Sequence, residues 1–525
     1  MASNVSGDAP ATPEVPKPTE AYARYVLGIL VLVYMLNFID RQILSILAED
    51  IKRDLGLDDA DIGFLYGTAF GVFYALFGIP LGRLADNWNR VKLMAGGLAL
   101  WSAATALSGF AKTGGVLTAA RVGVGIGEAT ASPCAYSLIS DYFPKEKRAT
   151  ALAIYSSGLY MGGGLSLFIG GAIVKNWNAS FPAGGPLGLV GWQAAFLAVG
   201  IPGLLVAMWV ATLREPLRGQ SEGIVTPPPA QPFRAFFNEL LTVIPPLTLI
   251  GAIRRGASAF AINIGVAAGI VAIVMSLIWI TGDVWQWAAV GVGFYAVFSW
   301  AAGLRQRDPP TFQLIWGTPA FLCTVLGYGL VAFLAYSASF WAAPYALRVL
   351  GADPAIAGLI IGGSGAAGGF LGVVLGGRLA DRLRRTNPAG RVIVIAGGLL
   401  LPILPMVVAF TTRDLTLFYA MQLPTQALSS MALGAAAATT QDLVLPRMRG
   451  AATATFFLGT TLIGLALGPY LAGRMSIVIG DLGLGVLSLI AVVPISLAAL
   501  AYLYRTLPLA ESSLLDRARA AGEPV

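Results

Sequence analysis

Four ionisable residues stand where charge is least welcome. Asp40 and Arg41 lie in the apolar stretch Ala21–Ala48, and Arg121 and Glu128 lie in Gly115–Ser140. A charge at the centre of a bilayer costs roughly 3 kcal/mol or more, so one that is kept there is expected to be functional. On a helix, Tyr34, Asn37, Arg41 and Ser45 fall on one stripe, with Asp40 at its edge. Arg121, Gly125, Glu128 and Ser132 form a second stripe. Two polar stripes on apolar helices are expected to face one water-filled cavity. The chemistry they can do is proton exchange and anion binding. Glu128 is expected to be the main titrating carboxylate, and Asp40 a second proton-coupling group paired with Arg121, Arg41 or both. Burial favours the neutral form of Glu128, and a nearby guanidinium favours its charged form. The chain has no histidine, so proton coupling must use Asp or Glu. Arg41 and Arg121 suit an anionic substrate group, because a guanidinium grips phosphate or carboxylate as a fork. Tyr34, Asn37 and Ser132 join them as substrate-binding candidates. The competing reading is a permanently satisfied salt-bridge cluster that orients two helices.

Further along, Tyr328, Tyr336, Ser337, Ser339, Phe340, Trp341 and Tyr345 share one apolar segment. Gln422, Thr425, Gln426, Ser429 and Ser430 share another. Tyr336, Trp341, Tyr345, Gln422 and Gln426 are the binding candidates taken from them. The aromatics could receive an acyl chain while the arginines take a head group. Aromatic residues in membrane segments also pack or form interface belts, which is the competing reading.

These residues need membrane-spanning helices to position them. Of the 525 residues, 56% are hydrophobic and 12% charged, with mean hydropathy +0.74. Soluble domains carry about a quarter charged residues. Fourteen segments are apolar and long enough to cross a bilayer. Span 1 lies in Ala21–Ala48, and spans 2 and 3 at Ile62–Gly82 and Leu93–Ala111. Spans 4, 5 and 6 lie in Gly115–Ser140, Ala149–Val174 and Leu189–Leu213. Spans 7, 8 and 9 lie in Pro309–Leu347, Pro354–Gly377 and Val392–Thr412. Spans 10, 11 and 12 lie in Leu415–Gln441, Gly450–Gly473 and Leu482–Tyr504. An extra hairpin, Gly256–Gly282 and Val284–Leu304, separates spans 6 and 7. Of the 34 Lys and Arg residues, 25 fall on the side of the termini, 7 on the other side and 2 within spans. That bias predicts both termini in the cytoplasm. Cys134 and Cys323 are too few for a disulfide framework or zinc site. No metal or cofactor is expected. No nucleophile–base constellation stands out, and no Gly-Lys-Ser/Thr follows the glycines, so neither an enzyme nor ATP hydrolysis is expected.

The organisation predicted is a disordered tail (1–20), a six-helix bundle (21–213), a cytoplasmic linker (214–255), the hairpin (256–304), a second six-helix bundle (305–506) and a cytoplasmic tail (507–525). The linker carries Pro227–Pro229. Phe233, Phe236, Phe237, Leu240, Leu241 and Ile244 then recur at helical spacing, with Arg234, Asn238 and Glu239 on the other face. This amphipathic helix either lies on the membrane interface or packs on protein. In the hairpin, Trp279, Trp285, Trp287 and Trp300 suit a lipid-exposed appendage.

The halves are related. Gly-Arg-Leu-Ala-Asp occurs at Gly82–Asp86 and again at Gly377–Asp381. Asp141, Pro144 and Arg148 are echoed by Asp442, Pro446 and Arg449. A duplicated all-α membrane protein points to a transporter with its site between the halves. Gly82 to Lys92, with Asp86 and Arg90, resembles the loop 2–3 signature of the major facilitator superfamily, with Asn89 where that signature has Gly. Arg121 to Ala129 resembles the superfamily's span 4 motif, and Gly158, Gly162, Gly170 and Gly171 its span 5 motif. Asn37-Phe-Ile-Asp40-Arg41 with Gly-Ile-Gly-Glu128-Ala looks like the Spinster family. The resemblance implies the major facilitator fold, two six-helix bundles related by a pseudo-two-fold axis, here with an extra hairpin. It also implies a cytoplasmic latch of Gly82, Asp86, Arg90, Asp141, Arg148 and Asp381, with Asn89 straining its turn. Animal Spinster proteins export lysophospholipids and sphingosine 1-phosphate. A proton-coupled transporter of an amphiphilic anion in a bacterial inner membrane, working as a monomer, is therefore expected; the alternative cargo is a small organic anion or drug-like compound.

Overall fold

The structure is a computed structural model, and it describes residues 19–219, 221 and 231–524. The predicted disordered tail, apart from its last two residues, and the triple proline lie outside the described residues. Helices dominate because lipid satisfies no backbone polar group, so each span must bond to itself. Twelve helices among the described residues are long and apolar enough to cross a membrane. They include span 1 (Glu20–Leu55), span 2 (Asp59–Asn87), span 7 (Pro319–Arg348), span 8 (Pro354–Thr386) and span 11 (Pro446–Ile479). Spans 4 and 10 are each split in two. Span 4 runs Gly114–Glu128 and Ala131–Tyr142, and span 10 runs Leu415–Ser430 and Ala432–Asp442. Pro133 helps break span 4, because it has no N–H to return to the carbonyl of Ala129. The break follows Glu128 directly and is held by Thr130, whose hydroxyl donates to Gly127 O at 2.8 Å.

Within the first bundle span 1 packs on span 5 (Lys145–Ser180), and span 3 (Arg90–Ser108) packs on spans 4 and 6 (Gly191–Ala211). In the second, span 8 packs on span 10, and span 7 on spans 11 and 12. The bundles meet along two seams, span 5 against span 8 and span 2 against span 11, with spans 1 and 7 between them. Small residues make the first seam close. A side chain on Gly164 would come within 2.8 Å of the Gly362 carbonyl oxygen, and one on Gly171 would meet the Pro354 backbone. At the second seam both spans carry a wide π-helical turn, Phe64–Thr68 and Thr460–Ala466, and the two turns touch.

The hairpin is not wholly an appendage. Its first helix, Ala257–Thr281, is outward-facing, with Trp279 88% exposed. Its second, Val284–Arg307, lies across the span 2–span 11 seam. Trp300 packs with Val72 and Leu76 of span 2 and Leu462 of span 11, while Trp287 packs against Tyr470. Thr68 Oγ1 lies 2.6 Å from Ala466 O and 2.7 Å from Gln286 Oε1, so a hairpin side chain sits where the bundles join. Two of the four tryptophans therefore serve packing rather than the interface. The amphipathic helix forms as Pro232–Val243 and packs on span 2 and on the hairpin. Phe233 and Phe237 remain exposed, but Glu239 is buried, contrary to its predicted outward face. Arg307 Nη1 donates to it at 2.8 Å and Arg83 Nε at 3.5 Å.

Gly171→Val should overpack the span 5–span 8 seam by about 1–3 kcal/mol. Spin labels placed across that seam should then show a new population at longer distance. An unchanged distance distribution would remove the seam from the contacts that hold this conformation.

Candidate transport site

Arg41 and Glu128 form the centre. Arg41 Nη2 donates to Glu128 Oε2 at 2.9 Å; the Glu128 side chain is fully buried and that of Arg41 is 13% exposed. Asn37, one turn earlier, holds its side-chain oxygen 3.5 Å from the same nitrogen. Three rings surround the guanidinium, with centroids at 4.8 Å (Phe38), 4.5 Å (Phe70) and 5.1 Å (Tyr74). Aromatic faces attract a partly desolvated cation by about 0.5–2 kcal/mol each, so this collar helps hold the Arg41 guanidinium in place. The Phe70–Tyr74 pair on span 2 escaped the sequence analysis. Its i, i+4 spacing on one helix face was the available signal.

The expected pairing of Asp40 with an arginine side chain is not what forms. Arg121 Nη1 donates to the backbone carbonyl of Asp40 at 3.1 Å, and Nε to that of Leu65 at 3.4 Å. Arg121 thus ties span 4 to spans 1 and 2 through main chain, with a face of Phe70 at 5.4 Å. The Asp40 carboxyl turns instead toward Trp101 and Thr105 of span 3. Its Oδ1, Trp101 Nε1 and Thr105 Oγ1 all lack a hydrogen-bond partner. The one-residue step from Arg41 to Asp40 turns the helix by about 100°, which sends the two side chains to different neighbours. Tyr34 stacks on Tyr155 of span 5 at 4.3 Å, and Ser132 faces Tyr155 too, so these two candidates border the centre without joining the ion pair.

The second bundle contributes fewer binding groups than expected. Tyr336 is half-buried and is the span 7 group that faces Arg41. Gln426 is half-buried against Gly368. Trp341, by contrast, is buried and donates its indole N–H to Pro469 O at 2.9 Å. Tyr345 is buried, donates to Thr412 O at 3.0 Å and stacks on Phe418. Gln422 is buried and donates to Phe418 O within its own helix at 3.3 Å. These three carry packing. A buried N–H or O–H must find a partner, and theirs are backbone carbonyls.

A family model described as Major Facilitator Superfamily matches residues 30–349. The chain belongs to the major facilitator superfamily. It is 27% identical to protein spinster homolog 1 of Bos taurus over 90% of this chain and 78% of that one. It is 26% identical to an MFS-type efflux pump of Mycolicibacterium smegmatis over 87% and 85%. A crystal structure of a bacterial homologue of the human lysosomal transporter Spinster, inward-facing and occupied, superposes with TM-score 0.65. It shares 28% identity and covers 96% of this chain and 97% of that one. This is therefore a multi-pass membrane transporter of the Spinster type.

The superfamily's loop 2–3 signature here forms a network inside the first bundle. Arg90 is buried and pairs with Asp141 and with Glu215 (2.7 Å); it also donates to Ser137 (2.7 Å) and Pro216 O (2.9 Å). Arg148 donates to Ser140 O at 3.0 Å and Ser221 at 3.1 Å. Gly82 borders open space, and Asp86 is exposed. The second bundle repeats the core of the network as Arg391 with Asp442, again 51 residues apart, while Asp381 is exposed with Arg391 Nη2 at 3.9 Å. Asn89 is not strained. Its φ is −65° and its side chain accepts from Lys92 N at 2.7 Å, a helix N-cap that Gly could not supply.

Among the described residues, every ion pair joining the two bundles lies at the opposite end. Arg348 donates to Glu49 at 2.6 and 3.0 Å and to Asp59 at 2.6 and 2.7 Å. Asp59 also accepts from Lys52 and from Ser476 (2.8 Å), and Lys175 pairs with Asp353 at 2.7 Å. The sequence analysis missed this cluster, because loop charges show no partner until the fold brings them together. Arg348→Gln should leave Glu49 and Asp59 short of positive charge and loosen that end. Spin labels on the loops after spans 1 and 7 should separate in the variant; distances equal to wild type would demote the cluster to surface decoration.

Proposed function

We propose that the chain is a proton-coupled secondary transporter working by alternating access on an amphiphilic anion, such as a lysophospholipid or a sphingoid phosphate. The observation that carries this reading is the Arg41–Glu128 pair, buried on the carboxylate side and accessible on the guanidinium side. A carboxylate and an anionic substrate compete for one guanidinium. Protonation of Glu128 would free Arg41 for a phosphate, and loss of the proton would return Arg41 to Glu128. The unpartnered Asp40 Oδ1 makes Asp40 a second proton acceptor in the same bundle. Arg121 serves as a positioning residue, holding spans 1, 2 and 4 in register. Tyr34, Asn37, Ser132, Tyr336 and Gln426 complete the binding surface, with the Phe38, Phe70 and Tyr74 rings offering an apolar wall.

The ends of the molecule take opposite parts. The end with the termini, 25 basic residues and no direct ion pair between the bundles among the described residues faces the cytoplasm. The end closed by Arg348 faces outward in this reading, so this conformation is the one shut to the outside. The family latch of Gly82, Asp86, Arg90, Asp141, Arg148 and Asp381 would engage between the bundles only in the opposite state, which fits the exposure of Asp86 and Asp381. A single chain in a bacterial inner membrane suffices for this cycle. A second reading keeps the site and changes the cargo to a small organic anion or a drug-like compound; a relative in Mycolicibacterium smegmatis is described as an MFS-type efflux pump.

Uptake of labelled lysophospholipid into proteoliposomes, with and without an imposed pH gradient, tests the reading. Wild type should show saturable uptake that responds to the gradient. Glu128→Gln should bind cargo but lose the response; a retained response would remove Glu128 from coupling. Arg41→Lys keeps the charge and loses the fork, and should raise KM about tenfold, or about 1.4 kcal/mol. Uptake confined to small organic anions would shift the cargo to the second reading.

A further inference from the structure

Where the bent helix pair meets the hairpin, a guanidinium is buried without a partner. Arg255 follows the helix Leu247–Arg254 and precedes the first hairpin helix. Its Nε, Nη1 and Nη2 are all buried and none has a hydrogen-bond partner; no other arginine among the described residues leaves all three nitrogens so. The group rests over Gly303, where an added side chain would stand 3.2 Å from Nη1. Thr242 and Arg307 flank the same point, at 3.6 and 3.7 Å. Tyr295 and Arg307 are the ionisable groups that act on it, and Arg307 already spends its charge on Glu239. A guanidinium whose nitrogens are out of solvent, beside another and with no anion of its own, is unfavourable as it stands, because a desolvated charge needs a partner. A lone carboxylate, Glu239, serves Arg83 and Arg307. The charge of Arg255 remains to be matched.

The surroundings indicate the depth. Phe233, Phe237, Ile250 and Ile253 are exposed on the two helices of the bent pair, which turn through 98°. Arg254 is exposed beside Arg255. Apolar faces next to exposed arginines suit the boundary between acyl chains and head groups. The first hairpin helix also begins at Gly256 with no side-chain cap, leaving amide donors nearby. Basic niches between membrane helices on the cytoplasmic side take anionic head groups.

We propose that Arg255, with Arg307 and the bare backbone of Gly303, forms a binding site for a phosphate group, supplied by an anionic phospholipid at the inner surface. The site is separate from the Arg41–Glu128 centre. It joins the linker helices to the hairpin, and the hairpin crosses the seam between the bundles. Native mass spectrometry of the full-length protein with phosphatidylglycerol, phosphatidylcholine or inorganic phosphate tests it. Wild type should retain phosphatidylglycerol at least fivefold over phosphatidylcholine. Arg255→Gln should fall to the phosphatidylcholine level, while Arg254→Gln, which removes an exposed charge of the same sign, should keep the preference. Competition by millimolar inorganic phosphate that depends on Arg255 would assign the site to the free ion instead of lipid, overturning the source and keeping the chemistry. Equal retention of the two lipids by wild type would overturn the proposal, as would a preference unchanged by Arg255→Gln. If the variant does not fold, the melting temperature of wild type in the two lipids decides: no rise with phosphatidylglycerol overturns it.

Discussion

A charge inside a bilayer must be answered by something within a few ångströms, and the rest of this structure follows from how Arg41 is answered. The protein supplies Glu128 on one side and three aromatic faces around it. Removing one member of a buried pair costs about 3–5 kcal/mol, because the other is left uncompensated. In the proposed cycle a proton on Glu128 or an anion on Arg41 would compete with this pairing. Spans 1, 2 and 4 must stay in register for that to work. Arg121 secures them through two backbone carbonyls, a tie that does not depend on any side chain's protonation.

The ends of the molecule are built differently. At one end Arg348 gathers Glu49 and Asp59 from the other bundle, while glycines let spans 5 and 8 touch. At the other end Arg90 with Asp141 and Arg391 with Asp442 close within their own bundles, while Glu239 of the linker helix holds Arg83 of span 2 and Arg307 of the hairpin. Interactions present in one state and absent in another are what make a rocking transition two-state. The second hairpin helix lies across one seam and contacts both bundles. In the proposed alternating-access cycle any rocking would have to slide past or carry that helix.

The candidate site was partly legible beforehand. Charged residues in apolar runs mark themselves, and helical periodicity placed Arg41 and Glu128 on facing stripes. Periodicity did not say which partner each would choose. Asp40 was assigned an arginine and instead faces Trp101 and Thr105. Trp341 and Tyr345 carried the right chemistry for binding but point into packed helix interfaces, where backbone carbonyls satisfy them. Glu239 was placed on an outward face and is buried between two arginines. In each case the residue type was read correctly and its surroundings were not, because surroundings are set by segments hundreds of residues away.

The amino-acid sequence alone determined the membrane class, the duplicated bundles and the charged residues worth attention. These depend on composition and local periodicity, which each segment carries by itself. The tertiary structure decided the pairings: Arg41 with Glu128 across 87 residues, Arg348 with Asp59 across 289, and Gln286 with the junction of spans 2 and 11. A charge or amide buried in lipid takes whichever partner the packing of distant helices brings within about 3 Å, and no local pattern encodes that distance.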